Sequence, residues 1–533
     1  MVDYLIPERP VGPVGYLLVV AAGVSLALAF PPTALWPLAF FGLLPLFYAI
    51  EERDLKAAFL LGFLAGLVQT SILIYWLYRV LTFYGGLHMF LALPVFLLLS
   101  AYLAVYTGLF TLGLVFCRKY LKIKPGSLNW ILLGSAIFTG LEYFRGIFLT
   151  GFPWEPLGAS LVSFLPLIQA SDIVGTGGIT FFVVMVNLSL WAAIVRYRTG
   201  DRASSVIPLI LAVVVLGGLW IYGHFRLADI NAQMTEAPTR KIVVVQGSIE
   251  QPYKWDPAFR ERILKSYQDL TLKAVDEEPW MIIWPETAVP FFFLWEEQET
   301  ERLRSLVTEI KIPLLFGAPA FERGEDEEKY YNRVYLLDSK GQVLNYYDKV
   351  HLVPYGEYVP LKRFFPYIKK ITRAVGDYTG GEPGKLLEFE GERFGVIICF
   401  EALFSDLVRS LVSNGADFLV NPSNDAWFGR SSAPDQLLYQ AALRAVENRR
   451  TMIRAVNTGI SSFIMPTGEI KNRLGLYERN YLVGLVPLLN EKTVYTAIGD
   501  LIPQICLGIT LAVFIGGLMI RRKRNADGIK TQN

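Results

Sequence analysis

The sequence predicts a polytopic helical membrane bundle that carries a separate α/β domain. Of the 533 residues, 53% are hydrophobic, and the mean hydropathy is +0.38. Charged residues are unevenly spread: 23 lie in residues 1–229 and 66 in residues 230–490, about 10% and 25% of those segments. Long apolar runs fill the first segment, and short β-branched runs alternate with amphipathic ones in the second. We therefore predict a membrane domain at 1–229, an α/β domain at 230–490, and a last span with a basic tail at 491–533.

Apolar runs predict about eight transmembrane helices, since a span needs roughly 20 mostly apolar residues. The runs cover residues 14–30, 35–50, 57–80, 87–116, 130–148, 161–195, 206–225 and 497–520. In an eight-span chain the main basic clusters share one side: Arg118, Lys119, Lys122 and Lys124; Arg196, Arg198 and Arg202; Arg521, Arg522, Lys523 and Arg524. Because cytoplasmic loops carry the excess of Lys and Arg, we expect both termini in the cytoplasm and residues 230–490 outside it.

Two charged residues lie inside the fifth predicted span. Glu142 and Arg145 are three residues apart on one helical face, where an unpaired charge would be costly. An internal ion pair that stabilises the bundle and a role in binding substrate both fit this spacing.

Composition excludes several kinds of site. Three cysteines, Cys117, Cys399 and Cys506, are too few for a disulfide framework. The three histidines lie far apart without metal-ligand spacing, so we expect no metal, and nothing calls for a cofactor. A formal charge of +2 gives no reason to expect a nucleic-acid partner.

The second domain is predicted to alternate strands with helices. Predicted strands are 241–245, 281–284, 313–316, 333–337, 343–347, 394–399 and 418–420, and a hairpin-like pair is predicted at 461–465 and 482–486. Predicted helices are 257–275, 299–310, 403–413 and 434–448. Residues 359–381 form a basic, aromatic, amphipathic insert, which we interpret as a membrane-surface segment, with packing on its own domain as the alternative.

An acid, a lysine and a cysteine each follow a predicted strand. Glu286, Lys349 and Cys399 would meet at one edge of an α/β sheet, where sites commonly form. A thiol nucleophile needs a base, and a carboxylate can serve when burial raises its pKa. A nearby lysine favours the thiolate and stabilises an oxyanion.

These three residues, in their local strings, resemble the Glu-Lys-Cys triad of the nitrilase superfamily of carbon–nitrogen hydrolases. With its spans, the chain resembles the apolipoprotein N-acyltransferase family of the bacterial inner membrane. Further matching strings are 246–249, 254–256, 354–360, 421–429, 444–450, 454–461, and Glu142 with Arg145 leading into 151–154. Phe400 departs from the family, in which a tyrosine often follows the nucleophile.

The resemblance implies an extracytoplasmic, periplasmic αββα sandwich and a two-step acyl transfer. Cys399 would take the sn-1 acyl chain of a membrane phospholipid, with Glu286 as general base and Lys349 at the oxyanion. The acceptor would be the α-amino group of the diacylglyceryl-cysteine of an apolipoprotein. Glu357 and Glu401 would support the triad, and Trp255 would line the mouth of the site. Structural roles for these three residues fit equally well.

Aromatic residues offer apolar surface for acyl chains. Phe364, Trp427 and Phe428 are expected to bind substrate or to close the site, although core packing is the common role of such residues. The partners would then be the phospholipid donor, the lipoprotein acceptor and the bilayer, and nothing demands more than a monomer.

Two other functions compete with acyl transfer. A membrane-anchored amidase or nitrilase would form the same thioester but release it to water, and eight spans exceed what an anchor needs. A transporter or receptor would need a polar path through the membrane, yet Glu142, Arg145 and Asp172 are nearly the only charges in the spans.

Overall fold

The structure is a computed structural model that describes residues 12–323, 328–359 and 377–530. The chain divides into two compact units. The first contains the described residues up to Tyr75, Leu93–Phe225, and the described residues from Asp500 onward. The second contains Trp76–Ala92 and Arg226–Gly499. The predicted domain boundary at residue 229 falls inside a long helix, Val206–Glu236.

The α-helices, in chain order, are α1 (Pro13–Leu28), α2 (Leu44–Ile50), α3 (Leu55–Leu73), α4 (Trp76–Arg79), α5 (Met89–Lys119), α6 (Leu128–Ile147), α7 (Leu165–Ile168), α8 (Ser171–Arg198), α9 (Val206–Glu236), α10 (Gln251–Lys254), α11 (Arg260–Ala274), α12 (Glu297–Ile310), α13 (Ser405–Ser413), α14 (Ala433–Asn448), α15 (Val494–Ile498) and α16 (Leu501–Lys530).

Six helices of the described chain are long and apolar enough to cross a membrane: Leu55–Leu73, Met89–Lys119, Leu128–Thr150, Ser171–Arg198, Val206–Glu236 and Leu501–Ile520. The predicted helical membrane bundle is confirmed, with six such helices among the described residues. The first two predicted spans are shorter. Helix α1 has 16 residues, and the second run divides into a 3-10 helix, Trp36–Phe40, and the seven-residue α2. Proline lacks an N–H and favours the first turn of a helix, so α2 restarts at Leu44-Pro45. The count of eight spans remains a prediction.

The second unit is built on two six-stranded sheets. The strands are β1 (Thr239–Gln246), β2 (Met281–Ile283), β3 (Leu314–Arg323), β4 (Glu328–Leu337), β5 (Val343–Asp348), β6 (Leu386–Phe389), β7 (Glu392–Val396), β8 (Phe418–Ser423), β9 (Met452–Val456), β10 (Ser462–Ile464), β11 (Ile470–Arg473) and β12 (Asn480–Pro487). The sheet orders are β12-β1-β2-β3-β4-β5 and β11-β10-β9-β8-β7-β6. In each sheet three central strands are parallel, and the flanking pairs are antiparallel.

Successive side chains of β1 pack alternately in two hydrophobic cores. Ile242 and Val244 pack in one cluster with Phe394 and Val420, so this cluster lies between the sheets. Val243 and its neighbour Val245 pack instead with residues of α11 and α12 on the outer face. Helices α13 and α14 pack on strands of the other sheet. This period of two is what a strand buried on both faces requires, and it confirms the predicted αββα sandwich.

The predicted hairpin at the end of the domain is wrong. Its first strand, β10, pairs with β9 and β11, whereas β12 joins the other sheet and pairs with β1 from Thr239 to Gln246. Both runs are apolar with period two, and that local pattern does not specify a partner strand. Strands β6, β9 and β11 were not predicted. The insert at 359–381 lies mostly outside the described residues, which resume at residue 377.

Candidate active site

Parallel strands carry two of the predicted catalytic residues to one edge of the sandwich. Glu286 lies three residues beyond β2, and Cys399 lies three residues beyond β7. The Glu286 turn packs tightly on β3: a Cβ on Gly317 would lie 2.8 Å from the Glu286 Cα atom and 2.5 Å from the Thr287 nitrogen. Glycine is therefore required at this position of β3.

Lys349 follows β5 and lies between two carboxylates. Its Nζ donates to Glu357 Oε1 at 3.0 Å and to Glu286 Oε1 at 3.5 Å, and its side chain is 1% exposed. Asn332 Nδ2 donates to Glu286 Oε1 at 2.7 Å and to Glu357 Oε1 at 2.9 Å, so it bridges the same two acids. Burial lowers the pKa of Lys349, but Glu357, Glu286 and Cys399 outweigh it and raise this pKa overall. The lysine is therefore a permanent cation.

Cys399 is a partly exposed free thiol at the start of a 3-10 helix, Cys399–Leu403. Its φ of +54° is unusual for a residue with a side chain, and such strained backbone is common at functional sites. Loss of hydration and then the Glu286 charge raise the pKa of the Cys399 thiol to about 12, while Lys349 acts in the opposite direction. Lys349 favours the thiolate, as expected, but the Cys399 thiol remains protonated at neutral pH. The nucleophile must lose its proton as it attacks.

Glu401 accepts hydrogen bonds from the backbone that follows Lys349 and from the backbone that precedes Cys399. It is fully buried, and its Oε1 accepts the backbone N–H of Val350 at 2.6 Å and of His351 at 2.9 Å. Its Oε2 accepts the Ile398 N–H at 2.5 Å, directly before the cysteine. Burial raises the pKa of Glu401 to about 7, against the effect of these hydrogen bonds. The position of Glu401 fits a positioning role.

A second lysine, which was not predicted from the sequence, lies in the site. Lys254 ends α10, is 2% exposed, and donates to the backbone oxygen of Glu286 at 3.1 Å. Burial lowers the pKa of Lys254 to about 7, partly offset by Glu286 and Cys399. The adjacent Trp255, which was expected to line the mouth, is 36% exposed. The sequence feature that could have identified Lys254 is its place in the string 254–256, which matches the family.

Buried amides connect four of the matching strings. Asn457 Nδ2 donates to Ile249 O at 2.7 Å and to Asn424 Oδ1 at 3.0 Å. Asn424 Nδ2 donates in turn to Gln251 Oε1 at 2.8 Å. Since Gln251 begins the helix that ends at Lys254, these contacts connect strings 246–249 and 254–256 with strings 421–429 and 454–461.

Two of the three expected aromatic residues, Trp427 and Phe428, are half-buried and contact residues that follow α3, of which Trp76 was predicted to be membrane-spanning. Trp76 makes an edge contact with Phe428 at 5.0 Å, and Tyr84 does so with Trp427 at 5.4 Å between ring centroids. The Tyr84 hydroxyl also donates to Ala426 O at 2.6 Å. The third predicted span therefore ends at Leu73 rather than at residue 80, and the chain after it packs on the α/β unit.

The remaining predicted residues lie elsewhere. Glu142 and Arg145 belong to the first unit, 3.9 Å apart, and Glu142 accepts the Leu157 N–H at 2.8 Å and the Thr180 hydroxyl at 2.7 Å. Phe364 lies outside the described residues. No group of three or more His, Cys, Asp or Glu within residues 12–323, 328–359 and 377–530 is arranged to hold a metal ion.

Comparison with known proteins covers both units. Residues 22–189 match the Apolipoprotein N-acyltransferase N-terminal domain, and residues 241–491 match the Carbon-nitrogen hydrolase family. A crystal structure of an amidase from Nesterenkonia sp. aligns at a TM-score of 0.35 and 22% identity, over 46% of this chain and 90% of that one.

Full-length relatives are more similar. The apolipoprotein N-acyltransferase of Geobacter metallireducens is 37% identical over 95% of this chain and 96% of its own length. That of Pseudomonas putida is 31% identical over 91% of this chain and 93% of its own length. Both domains and nearly the whole length therefore agree on one assignment: the chain is a membrane-embedded member of the apolipoprotein N-acyltransferase family.

Proposed function

We propose that this protein transfers an acyl chain from the sn-1 position of a membrane phospholipid to the α-amino group of the N-terminal diacylglyceryl-cysteine of an apolipoprotein. The reaction passes through a thioester on Cys399 and completes a triacylated lipoprotein. The observation that carries the proposal is the buried Lys349 ammonium held between Glu286 and Glu357, beside the Cys399 thiol.

In the first half-reaction the phospholipid ester is the electrophile. The Cys399 thiol passes its proton to Glu286 as the sulfur attacks the ester carbonyl carbon, because a thiol with a pKa of about 12 is protonated at neutral pH. Lys349 stabilises the negative oxygen of the tetrahedral intermediate. The carbon–oxygen bond breaks, Glu286 returns the proton to the leaving alkoxide, and lysophospholipid departs.

In the second half-reaction the free amine attacks the thioester. Glu286 takes a proton from the amine, Lys349 again faces the oxyanion, and the carbon–sulfur bond breaks. Glu286 returns the proton to the thiolate, and the amide product leaves. Two half-reactions at one sulfur predict ping-pong kinetics.

Both substrates are lipids, so the site should open at the membrane surface. Trp427 and Phe428 supply apolar walls, supported from behind by Trp76 and Tyr84. We place this edge on the periplasmic side of the bacterial inner membrane, with both chain termini in the cytoplasm, from the distribution of Lys and Arg. One monomer holds every residue that this mechanism uses.

The test is intact mass spectrometry of the purified full chain after incubation with phospholipid alone. We expect an acyl adduct on the wild type, no adduct on Cys399→Ala, and a strongly reduced adduct on Cys399→Ser, because an alcohol is a poorer nucleophile at neutral pH. Cys506→Ala is the matched control, since Cys506 is a buried free thiol of α16, and it should form the adduct normally.

Addition of a diacylated lipopeptide should then discharge the adduct to N-acylated peptide. An adduct that persists on Cys399→Ala would show that another residue is acylated. An adduct released to water as free fatty acid, at a rate that the lipopeptide does not change, would instead identify a hydrolase.

A further inference from the structure

Asn332 makes three hydrogen bonds within the active site, and the proposed mechanism gives it no role. It lies on β4 and is 5% exposed. Its Nδ2 donates to Glu286 Oε1 at 2.7 Å and to Glu357 Oε1 at 2.9 Å, and its backbone oxygen accepts the Lys349 N–H at 2.9 Å. One uncharged residue therefore connects both acids with the segment that carries the lysine.

The side-chain bonds of Asn332 are part of a closed ring of four polar groups. Lys349 Nζ completes the ring by donating to Glu357 Oε1 at 3.0 Å and to Glu286 Oε1 at 3.5 Å. The ring contains two carboxylates, one ammonium and one neutral amide. When both acids are ionised, two negative charges and one positive charge leave a single net negative charge. The uptake of one proton then makes the ring neutral.

The two acids of the ring are not equivalent. Lys349 Nζ is closer to Glu357 than to Glu286, and its contact with Glu286 is longer than a normal hydrogen bond. The Val353 N–H donates to the other Glu357 oxygen, Oε2, at 2.8 Å. Glu286 receives its short bond from the Asn332 amide, and its Oε2 accepts no hydrogen bond from the described residues. Both oxygens of Glu357 are thus occupied, whereas Glu286 keeps one oxygen for a proton.

The ring also fixes the orientation of the Asn332 amide. A flipped amide would point Oδ1 at two carboxylate oxygens, and none of these atoms could donate to another. In the observed orientation, Oδ1 is buried and has no hydrogen-bond donor within residues 12–323, 328–359 and 377–530. A buried acceptor without a partner is destabilising. This cost indicates that both N–H groups are needed at the acids.

The charge of the ring explains why its second donor is an amide. A cationic side chain at this position would make the ring neutral before Glu286 takes a proton and positive afterwards, and this charge would oppose the transfer. A carboxylate would supply no hydrogen and would repel both acids. An amide gives one hydrogen to each acid and leaves the charge of the ring unchanged.

We propose that Asn332 is a positioning residue that holds Oε1 of Glu286 in the ring and thereby assigns the proton transfer to Oε2. This inference rests on the proposed function. In the first half-reaction the S–H bond of Cys399 breaks as the sulfur attacks, and an O–H bond forms at Glu286 Oε2. The proton then passes from Oε2 to the departing alkoxide, so the ring returns to its starting charge. Asn332 itself exchanges no proton.

The test is a double-mutant cycle on the acylation of Cys399 by p-nitrophenyl butyrate, in the full chain at neutral pH. Release of p-nitrophenolate gives the rate, and peptide mass spectrometry locates the adduct. This leaving group departs without a proton, so acylation stays measurable in Glu286→Gln.

We expect Asn332→Ala to be acylated at least about tenfold more slowly than the wild type, because Glu286 loses a hydrogen bond to a charged group. In the Glu286→Gln background the same substitution should change the rate by less than about twofold, because Asn332 acts through the base that is already absent. Equal slowing in both backgrounds would show a purely structural role and would overturn the proposal. A wild-type rate in Asn332→Ala would overturn it as well.

Asn345→Ala is the matched control. Asn345 is a partly exposed asparagine of β5, and its Oδ1 accepts only the N–H of the adjacent Tyr346, at 2.8 Å, among the described residues. This variant should be acylated like the wild type.

Asn332→Asp separates shape from hydrogen-bond donation, since it keeps the shape of the side chain and replaces the NH₂ group by oxygen. It should be at least as slow as Asn332→Ala, because a third carboxylate repels the two acids. A faster rate than that of Asn332→Ala would contradict the proposal. If Asn332→Ala does not fold, Asn332→Ser, which keeps a single donor, replaces it in the cycle with the same expected coupling to Glu286.

The ester is neither a phospholipid nor a lipopeptide, so the two proposals can fail separately. Coupling between Asn332 and Glu286 without an adduct from phospholipid would support the role of Asn332 and refute the lipid donor. An adduct from phospholipid without this coupling would support the proposed function and overturn the role of Asn332.

Discussion

Replacing Lys254 by methionine should make the protein more stable and less active at neutral pH. Methionine has a similar length and no charge, so Lys254→Met removes the cost of burying an ammonium. Burial lowers the pKa of Lys254 from its ordinary value of 10.5 to about 7. Each unit corresponds to about 1.4 kcal/mol, so folding with this lysine costs about 5 kcal/mol at pH 7.

The hydrogen bond to the Glu286 carbonyl works in the opposite direction. Its loss leaves a buried acceptor unsatisfied, at about 1–3 kcal/mol. The net gain in the free energy of unfolding at pH 7 is therefore about 2–4 kcal/mol, which raises Tm by roughly 5 °C or more. Acyl transfer should fall about tenfold, because the Glu286 turn loses an anchor and small displacements of a catalytic group are costly.

The pH dependence identifies the cause. Between about pH 7 and pH 10.5 the folded chain binds fewer protons at Lys254 than the unfolded chain, so wild-type stability rises with pH across this window. Lys254→Met lacks this contribution, and its advantage in Tm should disappear by about pH 10. Thermal unfolding of the full chain in detergent, followed by tryptophan fluorescence from pH 7 to pH 10, measures both curves.

Lys241 supplies the matched control. Its ammonium also donates to a backbone carbonyl, Glu277 O at 2.7 Å, but the side chain is partly exposed on β1. Lys241→Met should keep the wild-type slope of Tm against pH. A Lys254→Met protein with the same slope as the wild type would refute the reasoning that a buried ammonium limits stability.

Two further substitutions test how the triad is positioned. Glu401→Gln should slow adduct formation, because an amide NH₂ meets backbone donors such as the Ile398 N–H; unchanged adduct kinetics would exclude a positioning role. Gly317→Ala should reduce adduct formation at least about tenfold, since its Cβ would displace the Glu286 turn. Gly217→Ala, at a helical position with open space around it, should behave like the wild type; equal effects of the two substitutions would contradict this steric argument.

Local pattern predicted much of the fold. Hydropathy separated the membrane helices from the α/β domain, and apolar runs located the central strands β1, β2, β7 and β8 to within a few residues. Because parallel strands end at the same edge of a sheet, the strings alone predicted that Glu286, Lys349 and Cys399 lie together. Strand pairing was harder to predict, because a period of two indicates which face of a strand is buried but not which strand lies beside it. The neighbour predicted for β12 was therefore wrong.

What the sequence determined by itself is thus the division into a membrane part and an α/β part, the places of nine of the twelve strands along the chain, and three residues as candidates for catalysis. Only the tertiary structure decided that Lys254 is buried while Trp255 is exposed, that Asn332 bridges two glutamates, and that Trp76 packs on Phe428. Desolvation and charge at a residue arise from chain segments far away in sequence. The identity and spacing of residues along the chain do not specify those contacts. The environment of each group is therefore fixed only in the folded structure.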